Sequence, residues 1–320
     1  WEQLRDAAEA MLRVESGKTA AQEAFAHHAN GLALLNLESR EAGNTDLGVG
    51  ELQEASRLAP NVVEYSIDLA AQFARQEKFD EAERVFRELL DQNSSPGADG
   101  SKVRLAFAQY LAGRSARGGL DEAAGYFGES LKLAEGDVPA LREAQMGDAL
   151  FLAQRWARAM REESTRPGAQ ALFDEAEGIL KQCTDADPEA FDAYLQMAVL
   201  YKSAARHADT VDVCDRRIRR GLSRKGAEAT RNKLSMFSLM IYASEACVAL
   251  GVTPEDAGVR EKWLARAEQY VADAKGESPS HPRLLSQSGR VKLARGQDRL
   301  ALQDLRAADE AYTTFETVSW

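Results

Sequence analysis

The chain has 320 residues, 44% of them hydrophobic, and Val, Ile, Thr and aromatic residues are sparse beside Ala, Leu, Glu, Arg and Gln. That balance favours helix over strand when propensity is summed along whole segments, and no segment reads as a convincing strand. A formal net charge of −11 argues against non-specific attachment to nucleic acid or anionic membrane, which draws on cationic surface, so no nucleic-acid partner is expected.

Residues 1–15 form an amphipathic leading helix, followed by "ESGKT" (15–19). A phosphate-binding loop ending in G-K-[ST] needs a Gly five residues before Gly17 and a strand ahead of it; Leu12 and a helix stand there instead, so no nucleotide site is expected. From here the chain reads as helix pairs: 22–38 with 46–58, 61–75 with 79–91, 101–113 with 119–134, 139–164 with 169–184, 189–205 with 208–220, 226–250 with 256–275, and 282–295 with 298–316. Turn-rich segments at 94–100, 114–119, 167–170 and 251–258 lengthen some connections. The stretch 234–252 is long and apolar, but Glu245 lies inside it with Ser235, Ser238 and Ser244, which marks a buried helix and predicts no membrane insertion.

A spacing recurs through these pairs. "FDEA" occurs at 79–82 and 173–176, and "LDEA" at 120–123. The small residue is followed by a large apolar one four positions on, often by a small one at seven and a Pro at twelve. Ala176 leads to Leu180, Cys183 and Pro188; Ala267 to Val271, Ala274 and Pro279; Gly48 to Leu52, Ala55 and Pro60. A residue without bulk lets two antiparallel helices cross closely, and a Pro suits the first turn of the next helix. Ala82, Ala176 and Ala267 are therefore expected at close crossings.

This pattern resembles the tetratricopeptide repeat (TPR), a 34-residue helix-turn-helix unit with A-x3-F…P in its second helix. Residues 191–224 and 29–62 match one copy each without gaps, and further copies start near Val63 and Pro282. Thr210 stands where Ala is usual, and Arg217 occupies a normally small site. The resemblance implies an all-α, right-handed superhelical solenoid of antiparallel helix pairs, about seven repeats plus a leading half, forming one TPR-like domain over residues 1–320. A chain that opens at Trp1 inside a helix-like pattern is expected to be a fragment of a longer protein. Its compartment is left open, with the cytoplasm slightly favoured.

The four histidines and three cysteines have no metal-ligand spacing, no nucleophile constellation is present, and neither a cofactor nor enzymatic activity is expected. In the family, the first helix of each repeat lines the concave face, and a well-known version holds a terminal carboxylate with Lys and Asn at the fifth and ninth positions. Here those positions read Ala33 and Leu37, Ile67 and Ala71, Leu195 and Val199, Ser286 and Arg290. That clamp is absent, and a mainly apolar groove for a peptide or protein partner is expected instead. A second candidate surface is the basic run 215–233: Arg216, Arg217, Arg219 and Arg220 fan towards solvent on a helical wheel, and Arg217, Arg220, Arg224 and Lys225, which have no acidic partner four residues earlier, cluster at a helix C-terminus and suit an acidic segment of a partner. The expected function is a protein-interaction scaffold. The alternative is a regulatory or substrate-recruiting arm of a larger kinase, protease or glycosyltransferase.

Overall fold

The computed structural model describes residues 1–14, 17–37, 44–114, 119–162, 165–222 and 233–319. Fifteen α-helices occur among them and no strand: α1 (Glu2–Leu12), α2 (Ala20–Leu37), α3 (Asn44–Leu58), α4 (Val63–Arg75), α5 (Phe79–Gln92), α6 (Ala98–Gly113), α7 (Leu120–Leu133), α8 (Val138–Arg161), α9 (Arg166–Ala186), α10 (Phe191–Ser203), α11 (His207–Leu222), α12 (Lys233–Val252), α13 (Ala257–Glu277), α14 (Pro282–Ala294) and α15 (Asp298–Ser319). The chain divides into two units, Trp1–Phe151 and Leu152–Trp320, described here one by one. Each is built of helix pairs packed on their chain neighbours, the all-α, TPR-like arrangement.

In the first unit the pairing of α2 with α3 depends on two glycines. A Cβ on Gly31 would lie 2.9 Å from the Gly48 carbonyl oxygen, and one on Gly48 would lie 2.7 Å from Leu35 Cγ, so the helices touch backbone to side chain where any larger residue would separate them. The next layer is filled by Val49, Leu52, Leu69, Phe73 and Ala82. Phe86, Phe107 and Phe127 then continue the core, with the Phe86 and Phe107 rings 5.3 Å apart. On α5 the buried positions Ala82, Phe86 and Leu89 follow the i, i+4, i+7 stripe that binds one helix face to a core. Asp80 and Glu81 in its first turn complement the helix dipole.

The turn within a pair is also repeated. Glu77 (φ 60°), Ala205 (φ 55°) and Gly296 (φ 72°) occupy the same left-handed position after α4, α10 and α14. In each case the next residue's N–H reaches back to a carbonyl five positions earlier: Lys78 to Phe73, Arg206 to Tyr201 and Gln297 to Lys292, all at 2.9 Å. This is a Schellman closure, which satisfies the last free carbonyls of the first helix and turns the chain into the second. Only one of the three sites carries the glycine that the closure favours.

In the second unit Ala176 and Ala267 have no exposed surface. Helices α9, α10 and α11 are fastened by Glu177, which accepts from the Tyr201 hydroxyl at 2.7 Å and from Arg206 at 3.0 Å and lies 3.1 Å from Lys181 Nζ. Burial pushes the Glu177 carboxyl upwards, but the Tyr201 and Lys181 hydrogen bonds and the charges of Lys181 and Arg206 outweigh it and hold the group below the ordinary carboxylate value. Asp256 caps α13 by accepting from the Val259 N–H at 2.9 Å, and Pro282 opens α14.

Two segments read as turns begin helices instead. Helix α6 starts at Ala98, and Gly100 in its first turn is required because a Cβ there would stand 2.7 Å from the Ser95 carbonyl oxygen. Helix α9 starts at Arg166 with Pro167 in its first turn, a position where the missing N–H costs nothing. Of the segment 226–250, residues 226–232 lie outside the described ones, and α12 is described from Lys233.

Candidate partner-binding surface

In the second unit the first helices of three successive pairs, α10, α12 and α14, place charged and aromatic side chains together. Lys202 follows Leu195 and Val199 on α10 at i+7 and i+3, so the three share one stripe; Leu195 and Val199 are half-buried. Lys202 forms a short ion pair with Glu245 of α12 and stands 4.6 Å from the centre of the Tyr242 ring. Arg283 of α14 covers the same ring at 5.3 Å, and Arg290, one helical stripe further along, lies 3.9 Å from Glu245. Three cations thus converge on one carboxylate and one aromatic ring. Lys202 and Arg290 keep 40% and 58% of their side-chain surface exposed while Glu245 keeps 18%, so the positive groups face solvent and the carboxylate lies beneath them. Such a surface can attract anions, with the half-buried Leu195 and Val199 beside it as apolar area.

The other candidates are distributed unequally. In the first unit Leu37, Ile67 and Ala71 are half-buried on the first helices, joined across α2, α4 and α6 by His28–Asp68 at 2.7 Å and Lys102–Glu64 at 2.5 Å. Ala33 is fully buried and cannot line an open groove. Helix α2 packs against both α1 and α3 and buries Ala24, Ala26, Ala29, Asn30, Gly31 and Ala33.

The solvent-facing basic fan is corrected at its centre. Arg217 is only 3% exposed: its guanidinium lies 4.4 Å from the Phe191 ring centre and 3.6 Å from Glu189, filling the small-residue site against the neighbouring first helix. Arg220 is exposed, but its guanidinium donates to the Tyr194 hydroxyl at 2.9 Å and the Pro188 carbonyl at 3.2 Å. Arg224 and Lys225 lie outside the described residues. Lys18 of the "SGKT" segment donates to the Leu12 carbonyl at 2.6 Å, closing the exit of α1.

Lys202, Tyr242 and Arg283 lie outside the fifth and ninth positions of the four copies that start at Ala29, Val63, Phe191 and Pro282. The detectable signal was Glu245, a carboxylate in the most apolar helix of the chain.

The fold is that of a TPR-like helical repeat. No protein-family model matches the sequence, and no curated protein does. Among solved structures, the human IFIT1 dimer with PPP-AAAA is similar over 97% of this chain and 68% of its own, at 16% identity and a TM-score of 0.51. PilW, a type IV pilus biogenesis factor, is similar over 82% of this chain and 97% of its own, at 16% identity and a TM-score of 0.52. At such identities the likeness shows the shared fold alone. No helix among the described residues is long and apolar enough to cross a membrane.

Proposed function

We propose that the chain is a non-catalytic protein-interaction scaffold and that an acidic segment of a partner protein docks on the α10–α12–α14 face. The observation that carries this reading is the convergence of Lys202, Arg283 and Arg290 on Tyr242 and Glu245 in a chain whose net charge is −11. A positive cluster on an acidic protein selects its partner by local complementarity. Arg guanidinium groups bind carboxylates in two-pronged fashion, and Leu195 and Val199 supply apolar area worth about 25 cal/mol per Å² buried. Human IFIT1 is solved with PPP-AAAA; for this chain a protein segment is favoured over RNA, because the face carries one aromatic ring and a carboxylate rather than a row of base-stacking platforms.

The test is fluorescence anisotropy with two labelled probes, a blocked octapeptide alternating Glu and Leu, and a 5′-triphosphorylated tetra-adenylate. The peptide is expected to bind in a salt-sensitive manner, to weaken at least tenfold in the combined variant Lys202→Glu, Arg283→Glu, Arg290→Glu, and to bind more tightly when Glu245→Gln removes the internal competitor. Tetra-adenylate binding that depends on the same three cations, without peptide binding, would overturn the reading.

A further inference from the structure

Several glycines that lie inside or beside the helices are required by sterics. Gly31, Gly48, Gly147, Gly251 and Gly289 each have a neighbour within 3 Å of where a Cβ would stand, and Gly97, Gly136 and Gly296 have left-handed φ. Gly113, the last residue of α6, has neither feature, as is also true of Gly50, Gly125, Gly128, Gly168, Gly178 and Gly276: nothing lies within 4 Å of its absent Cβ. What lies over it is a cavity of about 470 Å³ in the first unit, lined by Ala74, Arg75, Phe79, Gln109, Tyr110 and Arg114 besides Gly113 itself. That volume falls within the range of about 300–1,000 Å³ found for ligand clefts with mainly apolar walls.

The walls are flat. The Arg114 guanidinium lies 4.8 Å from the Phe79 ring centre and 5.4 Å from that of Tyr110. It is fixed there by hydrogen bonds to the Tyr110 hydroxyl at 2.8 Å and Glu83 at 3.2 Å, while the Tyr110 hydroxyl donates to the Phe79 carbonyl at 3.0 Å. A guanidinium held over two aromatic rings presents flat surface to a planar ring, which can stack on aromatic or guanidinium groups. The charge of Arg114 is already answered by Glu83. Arg75 at the rim is exposed, and its hydrogen-bond partner, the Gln72 amide oxygen at 3.1 Å, is neutral. On α4 Arg75 continues the stripe of Ile67 and Ala71, so an extended chain lying on that helix reaches the cavity at its end.

We infer that this cavity is a second, independent docking site that accepts one aromatic side chain of a partner peptide, with an adjoining carboxylate on Arg75. It does not depend on the α10–α12–α14 face. The absent side chain at Gly113 keeps the cavity open, and the rigid Phe79–Arg114–Tyr110 stack prepays the cost of ordering its walls.

The experiment is 19F NMR on a blocked tetrapeptide carrying 5-fluorotryptophan followed by aspartate, titrated with the full chain, with indole-3-acetate as a second probe. Saturable broadening of the peptide signal is expected. It should weaken at least tenfold in Gly113→Leu, whose Cβ has no neighbour within 4 Å and whose side chain is expected to take up cavity space, with the circular dichroism melt unchanged or raised. Arg75→Gln should weaken the aspartate peptide several-fold and leave its asparagine counterpart unaffected, and the variant reversing Lys202, Arg283 and Arg290 should bind the peptide normally. Broadening that survives Gly113→Leu, or no broadening at all, would overturn the site. Binding of indole-3-acetate without the peptide would overturn the peptide as occupant.

Discussion

Gly31 and Gly48 meet where α2 crosses α3, with the absent Cβ of Gly31 aimed at the Gly48 carbonyl oxygen 2.9 Å away and that of Gly48 aimed at the Leu35 side chain. The two contacts differ in kind. A carbonyl in a helix cannot yield without moving the helix, whereas Leu35 can change rotamer; the Gly31 carbonyl oxygen, at 3.1 Å from a Cβ on Gly48, is a looser contact than the 2.9 Å one at Gly31. Gly31→Ala is therefore expected to cost about 1–3 kcal/mol through overpacking, and Gly48→Ala less, because the gain in helix propensity offsets part of the strain. Urea denaturation of the two variants checks the order; equal costs would show that the crossing is not set by the backbone contact.

The left-handed turn residues give an exchange experiment. Ala205 adopts φ 55° where Gly296 adopts φ 72° in the same hydrogen-bonded closure. An L-residue there carries about 1–2 kcal/mol of steric cost, part of which glycine returns as unfolded-state entropy. Ala205→Gly should stabilise by up to about 1 kcal/mol and Gly296→Ala should destabilise by a similar amount, read from denaturation midpoints.

Arg217 is expected to behave as a core residue. Removing its contacts with Phe191 and Glu189 should lower stability by about 2 kcal/mol, the scale of a desolvated cation–π contact, so Arg217→Ala should melt several degrees below the parent. Arg216→Ala, whose side chain is exposed and, among the described residues, pairs along its own helix with Asp212 at 3.2 Å, should change the melt by no more than a few tenths of a kcal/mol. Similar melts for the two variants would return Arg217 to the surface.

Glu177 links stability to pH. Its carboxyl is held below the ordinary value in the folded chain, so its stabilising effect is present above the unfolded value of about 4.3 and is lost as pH falls through the lower folded value. The stability gap between the parent and Glu177→Gln should therefore be widest at neutral pH and shrink between about pH 5 and 3. A gap that stays constant over that range would mean that Tyr201 and Arg206 do not favour the ionised form.

The helix pairs were legible because their signal is repeated: small and large apolar residues at fixed intervals recur from Gly48 to Ala267, and no single miss spoils the pattern. The turns were less so, since Glu77 and Ala205 take a glycine's conformation without its letter. Arg217 shows how two readings of one residue diverge. The repeat spacing put it at a small, buried site, while the helical wheel put it with the exposed arginines; the structure follows the spacing, because the long side chain folds over Phe191. The cluster around Tyr242 was illegible for another reason: it is assembled from three helices 40 residues or more apart, and no local pattern records which side chains of α10, α12 and α14 will meet.

The most direct measurement of the scaffold reading replaces Tyr242 with benzoylphenylalanine and irradiates the chain with the Glu–Leu octapeptide, with the same photoreactive group at exposed Arg87 on α5 as control. The expected result is an adduct at position 242 that excess unlabelled acidic peptide competes away and that is absent from position 87. Equal adducts at both positions, or none at 242 under conditions where tetra-adenylate crosslinks there, would contradict the assignment of the α10–α12–α14 face to an acidic protein segment.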